Sequence, residues 1–271
     1  MIDLISQYSS SSQAFAVPTP VLEKFGFKFT LGGAHISRTM MLSELELVLL
    51  SVPTGSTAAG YRDAILVRNV LGKTTESTRQ KSLRHLRELY ALDEATLLFG
   101  LLRKLHGLDT HSLPALAIQV AWARDPLLRS TAPALINATV GDRVETARLA
   151  EAVESVFTGQ YSELNRNKIA RNAASSWTQS GHLSGRTNKL RTRLQPTVVA
   201  VTMALFLGQV AGYHGASIFL NPWCRLLDLS ADGARNRAAE AHRAGLINLR
   251  AVGEVVEISF PLLDGFNPEL T

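Results

Sequence analysis

Strand-like alternation is confined to two short stretches of this 271-residue chain, 182–195 and 246–260, and each directly follows a predicted helix. Through most of the remainder, apolar residues recur at helical spacing. The helices predicted in the N-terminal half are 34–52, 61–71, 76–91 and several more between 93 and 157. Two short hairpins contain too few strand residues for a large sheet. We therefore expect a mainly α, multi-helix protein with helix-turn-helix or winged-helix elements and short β-hairpin wings.

Three regions are expected along the chain. Residues 1–28, which contain Ser9 to Ser12 and the step Pro18-Thr19-Pro20, are expected to be a loosely ordered lead-in. Residues 29–157 are expected to form an N-terminal helical domain with a helix-turn-helix-like pair, and 158–271 a C-terminal region of winged helices. With 46% apolar and 19% charged residues, the chain as a whole has the composition of a globular protein.

The apolar run 198–207 raises the question of a membrane span. It covers half of the ~20 apolar residues that a spanning helix needs, and Gly208 and Gly212 follow it. A buried core helix is therefore predicted, and a span flanked by the upstream cations is the alternative. The single cysteine, Cys224, excludes an internal disulfide and fits a reducing compartment. The N-terminus lacks a basic stretch ahead of an apolar core, so we expect a cytoplasmic protein.

Positive charge is concentrated in two stretches. The chain has 28 Lys and Arg residues against 23 acids. Residues 62–90 hold seven cations and three acids, residues 161–195 hold seven cations and one acid, and the rest is slightly acidic. Most of the cations are arginines, whose planar guanidinium matches phosphate geometry. This distribution predicts an anion-binding protein.

The most basic helix is predicted over 165–180, with a cationic wing after it. One of its faces is apolar, and the opposite face is uniformly polar, with residue types that can contact guanine, adenine or phosphate. The candidate contacts on the helix are Arg166, Lys168, Arg171 and Asn172, and those on the wing are Arg186, Lys189, Arg191 and Arg193. Strand alternation along 189–194 would place the wing cations on one side. The alternative interpretations are a solvated basic face and a docking site for an acidic protein.

Two other predicted helices carry outward-facing cations. On 76–91, Leu83, Leu86, Leu89 and Tyr90 form the apolar stripe and the DNA candidates are Arg79, Lys81 and Arg84. At the C-terminus, a short helix opened by Asn221-Pro222 is followed by a helix over 231–244 and two strand patterns, which is the order of a winged helix-turn-helix. There the candidates are Arg235 and Arg237, and a protein-contact role remains open because the segment is net acidic.

Enzymatic patterns are absent from the sequence. The histidines lack metal-ligand spacing, and the acids are scattered singly. The stretch Gly72-Lys73-Thr74-Thr75 imitates a phosphate-binding loop, but Val67 stands where that motif requires glycine. Cys224 lies among apolar neighbours and is expected to be a buried thiol. We therefore expect no catalysis, no cofactor and no metal.

Three segments in order resemble the BrxA family of bacterial BREX phage-defence systems. They are LGGAHISRTMMLSELELVL (31–49), RNVLGKTTESTRQKSLRHLREL (68–89) and NRNKIARNAASSWTQSGHL (165–183), so the resemblance covers about 31–195. It implies a small helical, cytoplasmic, non-enzymatic protein that binds double-stranded DNA beside other defence-system proteins. Residues 196–260 extend beyond the compact form of that family. A protein–protein adaptor of a defence complex and a winged-helix transcriptional regulator are the alternatives, and a membrane association is not expected.

Overall fold

The computed structural model describes residues 17–252 and 255–266 and confirms the mainly α fold with short hairpins. The α-helices of the described residues are α1 (Thr19–Phe25), α2 (Leu42–Ser51), α3 (Ala58–Leu66), α4 (Glu76–Tyr90), α5 (Leu97–Leu108), α6 (Leu113–Arg124), α7 (Pro126–Ile136), α8 (Thr146–Val156), α9 (Glu163–Gln179), α10 (Val198–Val210), α11 (Pro222–Leu226) and α12 (Ala231–Arg243). The strands are β1 (Leu183–Ser184), β2 (Leu190–Arg191), β3 (Asn248–Val252) and β4 (Val255–Ser259).

Side-chain caps fix where several helices begin. The hydroxyl of Thr75 accepts a hydrogen bond from the amide of Thr78 at the start of α4, at 3.2 Å. Asn221 caps α11 ahead of Pro222, and Ser230 caps α12. Short polar side chains at these positions satisfy the unpaired amides of a first helical turn, and the sequence predicted the helix that Asn221-Pro222 opens.

Most of the buried core is one cluster that extends from Leu22 in α1 to Leu263 near the C-terminus, and Leu127, Val153 and Ile169 form a second, small cluster. Helix α10 lies within it and packs against α5, α6, α11 and α12. It is buried on nearly all sides, as predicted. No helix among the described residues is long and apolar enough to cross a membrane. The larger cluster contains residues from both sides of residue 157, where a domain boundary was expected. That boundary stays a prediction.

Part of the expected lead-in belongs to the core. Residues 19–25 form α1, in which Leu22 and Phe25 are fully buried. The rings of Phe25 and Phe206 of α10 lie 6.2 Å apart between centroids. The expectation of a loosely ordered lead-in is therefore wrong for 17–28, because its apolar side chains complete the core around α10. Residues 1–16 lie outside the described part of the chain.

The helix predicted over 34–52 is divided in two. Residues 34–36 form a single 3-10 turn, and α2 begins only at Leu42. Met41 precedes it with a left-handed backbone (φ 53°), a conformation that a continuous α-helix does not allow. Between the turn and α2, the chain runs as an irregular segment, and we call residues 34–42 the linking segment.

Both predicted hairpins are present. In the first, Leu183 pairs with Arg191 and Ser184 with Leu190, in antiparallel register. Residues 141–144 lie beside this hairpin, since the amide of Gly141 donates to the carbonyl of Arg191 at 2.8 Å. In the second hairpin, β3 and β4 pair from Asn248 with Ser259 onwards. Its predicted turn, 253–254, lies outside the described residues.

Candidate nucleic-acid interface

The linking segment is hydrogen-bonded to α9, the most basic helix of the sequence. The side-chain amide of Asn172 donates to the carbonyl of His35 at 2.8 Å. One helical turn further on, the hydroxyl of Ser176 accepts from the amide of Met40, also at 2.8 Å. At the end of the helix, Gln179 accepts from the amide of Leu42 at 3.1 Å. One stripe of α9 therefore holds the linking segment along three successive turns.

The same segment contacts the second basic helix, α4. The phenol of Tyr90 donates to the carbonyl of Met40 at 2.6 Å. The hydroxyl of Ser37 lies 3.4 Å from Nε2 of His85. The linking segment thus joins two helices that are far apart in sequence and that were each predicted to contact DNA.

Exposed cations of both helices flank this junction. On α4, Arg84 lies beside His85 (Nη2 to Nε2, 3.3 Å), and Lys81 is exposed one turn before His85. On α9, Lys168 is exposed one turn before Asn172, and Arg171 is exposed next to it. The linking segment adds the half-buried Arg38. We call this set the α4–α9 surface, and it consists of Arg38, Lys81, Arg84, Lys168 and Arg171.

The electrostatics of His85 report the sign of the potential at this surface. Burial lowers the pKa of His85, and the positive charges of Arg84 and Arg38 lower it further. The nearest carboxylate, that of Glu88, lies 3.6 Å from Nδ1 of His85. Burial and the charge of Asp125 raise the pKa of Glu88. Both arginines therefore disfavour the charged imidazole, and the same positive potential favours an anion.

Arg191 corrects the sequence-based assignment of the wing. It was expected to contact DNA, but its side chain is 3% exposed. Its guanidinium forms a bidentate ion pair with the carboxylate of Asp228, and Nε donates to the carbonyl of Leu135 at 3.1 Å. Arg191 therefore points inward, and Leu190 is its exposed neighbour. The expectation that all the wing cations face outward is therefore wrong for Arg191.

Several other predicted contacts are engaged within the chain. Arg166 pairs with Glu154 at 2.8 Å, and Nζ of Lys189 donates to the carbonyl of Gly185 at 2.7 Å. Asn172 has one amide hydrogen committed to His35, which reduces its capacity to read a base. Arg79 is half-buried. Of the wing cations, Arg186 and Arg193 are exposed.

The C-terminal elements follow the predicted winged-helix order of α11, α12, β3 and β4. Ala234, Ala238 and Ala241 are fully buried and form the face of α12 that packs on the core. The guanidinium of Arg235 lies 5.0 Å from the ring centroid of Phe219. Arg237 pairs with Glu240 of the same helix at 2.7 Å. Both predicted contact residues on α12 are therefore partnered inside the chain, which makes this helix a weaker phosphate-binding surface than the α4–α9 surface.

Sequence reasoning missed a buried network behind the linking segment. Nδ1 of His35 lies 2.7 Å from the carboxylate of Asp125, and Nε2 lies 2.8 Å from the hydroxyl of Ser176. The order Asp-His-Ser is that of a nucleophilic triad, but all three residues are buried and Ser176 is also bonded to Met40. The network is therefore structural. The members of this network are far apart in sequence. The one local signal is Gly33, whose lack of a side chain allows the close approach to Asp125.

Other reactive groups are also enclosed. Burial raises the pKa of the Cys224 thiol to about 12, against a smaller opposing effect of its hydrogen bond with Asn221. Among the described residues, no group of three or more His, Cys, Asp and Glu side chains could hold a metal ion.

Comparisons with known proteins place the chain in no established group, since no protein-family model and no curated protein matches it.

Proposed function

We propose that this protein binds duplex DNA without catalysing a reaction, and that it serves in a bacterial phage-defence system of the BREX type that its sequence resembles. The observation that carries the proposal is the α4–α9 surface. The linking segment is bonded to both helices, and exposed cations of both helices flank it. Lys and Arg side chains spread over such a surface neutralise backbone phosphates and release counterions, which is the main source of sequence-independent affinity.

Within this surface the residues have different roles. Lys168 and Arg171 are exposed, and no other described residue forms an ion pair with either of them. They are the strongest candidates for phosphate contact. Arg84 and Arg38 surround the neutral His85 and contribute the positive potential between the helices. Arg186 and Arg193 are exposed on and after the first hairpin and extend the basic area.

The test is a salt-titrated binding assay with duplex DNA, single-stranded DNA and RNA of one sequence. We expect the tightest binding to the duplex, and a steep fall in affinity between about 50 and 200 mM salt. In Lys168→Gln with Arg171→Gln, the loss of two phosphate contacts is expected to reduce the slope of log K against log salt by about 1.8.

The matched control is Lys24→Gln with Lys104→Gln, which removes two exposed cations from α1 and α5 and changes the net charge equally. It is expected to keep wild-type affinity. Equal losses in the two double variants, or no duplex binding at low salt, would contradict the proposal. A stable protein partner without DNA affinity would select an adaptor instead, and a defined palindromic operator would select a transcriptional regulator.

A further inference from the structure

A groove of about 790 Å³ lies along α4. One wall is the stripe of α4 that contains Gln80, Arg84, Arg87 and Ala91, which recur at helical spacing. Lys28, which follows α1, and Arg124, at the end of α6, also line it. Its volume is in the range typical of small-ligand sites, roughly 300–1,000 Å³.

Positive charge exceeds negative charge in this groove. Lys28, Arg84, Arg87 and Arg124 line it together with two acids, Glu88 and Asp93. Burial raises the pKa of Glu88. The groove therefore has the sign required for an anionic ligand.

Arg124 is a buried cation that forms no ion pair with a carboxylate of the described residues. It is 7% exposed, and its hydrogen bonds go to the backbone carbonyls of Gly26, Arg87 and Glu88. Burial lowers its pKa to about 10, and the charge of Glu88 offsets only part of that effect. Buried charges in proteins are ordinarily paired, so this guanidinium stabilises an anion that enters the groove.

The surroundings of Lys28 also favour an anion in this groove. Burial lowers its pKa, and the charge of Arg124 lowers it further, with smaller opposing effects of Glu88 and Asp125. No other described residue forms a hydrogen bond or an ion pair with its ammonium group. Two partly desolvated cations therefore stand next to one another at the same groove, and a multiply charged anion would relieve their repulsion.

We propose that this groove binds a phosphate ester of nucleotide size. Its phosphates contact Lys28, Arg87 and Arg124, and its uncharged part lies against Leu83 and Ala91. A nucleotide is of the size that a groove of about 790 Å³ accepts. Arg84 belongs both to this groove and to the α4–α9 surface, whereas Lys28, Arg87 and Arg124 line the groove alone, and the small-molecule site does not depend on the DNA binding proposed above.

The test is isothermal titration calorimetry of the full chain with ATP, pyrophosphate and adenosine, without added metal. We expect ATP and pyrophosphate to bind saturably at one site and adenosine not to bind. In Lys28→Gln with Arg87→Gln, the affinity for ATP is expected to fall at least about tenfold, because two charge-assisted contacts are lost. In Lys168→Gln with Arg171→Gln, which has the same net charge, it is expected to be unchanged.

Hydrogen exchange of the wild-type chain maps the site without any substitution. ATP is expected to protect amides at 26–28 and along α4. No saturable binding of ATP or pyrophosphate would overturn the inference, and so would equal loss in both double variants or protection elsewhere. A duplex titrated in parallel separates the two proposals. If the wild-type chain binds ATP but no DNA, only the DNA proposal is contradicted. If the groove variant weakens DNA binding and leaves ATP binding intact, only the nucleotide site is contradicted.

Discussion

Nδ1 of His35 lies 2.7 Å from Oδ2 of Asp125 across 90 residues of sequence, and both side chains are buried. The other carboxylate oxygen of Asp125 accepts from the amides of Leu127 and Leu128 at 3.0 Å and caps α7. Burial by itself would raise the pKa of Asp125, but the charge and hydrogen bonds of His35 and the amide of Leu128 lower it. One carboxylate therefore joins the linking segment to the start of α7, directly behind the α4–α9 surface.

Asp125→Asn is expected to lower the free energy of unfolding by about 3–5 kcal/mol, because it breaks a buried, hydrogen-bonded pair. Urea unfolding at neutral pH measures the effect. The control is Asp63→Asn, which breaks the ion pair with Arg68 on the surface, where Asp63 is 53% exposed. That change is expected to cost less than about 1 kcal/mol. Similar small effects of both substitutions would show that the buried pair is not a major contact.

The carboxylate of Asp125 also leaves no room for a side chain at Gly33. A Cβ atom at this position would lie 2.3 Å from Oδ1 of Asp125, closer than any real contact. Gly33→Ala is therefore expected to lower the free energy of unfolding by about 1–3 kcal/mol. As a control, Gly107→Ala in α5 meets no atom within 4 Å and is expected to leave stability unchanged or to raise it by up to about 1 kcal/mol. Thermal unfolding distinguishes the two, and a neutral Gly33→Ala would contradict the close approach.

His182 makes stability depend on pH. It is fully buried, with Nε2 2.7 Å from the carbonyl of Leu226 and Nδ1 2.8 Å from the hydroxyl of Ser180. Burial lowers its pKa to about 4, with smaller opposing effects of Leu226 and Asp228. An unfolded chain binds a proton at this residue near pH 6.5, so acidification favours unfolding before the folded state can accept the proton.

The free energy of unfolding is therefore expected to fall as the pH falls from about 6.5 to 4, by at most about 1.4 kcal/mol per pH unit from this residue. His182→Gln is expected to show a shallower dependence over the same range, whatever its stability at neutral pH. Urea midpoints and m-values at several pH values provide the comparison. Parallel curves for wild type and variant would rule His182 out as the source.

Local patterns in the sequence predicted what depends on local physics. The apolar stripe of α4, from Leu83 to Tyr90, is buried, and Trp177 lies on the buried face of α9. Helical spacing could not reveal the left-handed Met41 within the linking segment, whose neighbour Met40 is hydrogen-bonded to Ser176 of α9. The junction of α4 and α9 at the linking segment was likewise not predictable, since its contacts join residues that are far apart in sequence.

The first hairpin shows the same limit of prediction from local sequence patterns. Alternation was expected along 189–194, but β2 contains only Leu190 and Arg191, which face opposite sides, and the pattern could not say which side is the interior. The partner that decides this question is Asp228, 37 residues away, whose carboxylate pairs with Arg191. Lys189 and Arg193 flank it along the chain, and Lys189 remains half-buried while Arg193 is exposed.

This difference between neighbouring arginines leads to the last prediction. Arg191→Gln leaves the carboxylate of Asp228 buried without its cation and is expected to lower the free energy of unfolding by about 3–5 kcal/mol. Arg193→Gln removes the same charge from an exposed position and is expected to change stability by no more than about 0.5 kcal/mol. Urea unfolding of both variants at one pH measures the contrast. Because the two substitutions are chemically identical and two residues apart, equal stabilities would mean that Arg191 faces solvent, as the sequence pattern suggested.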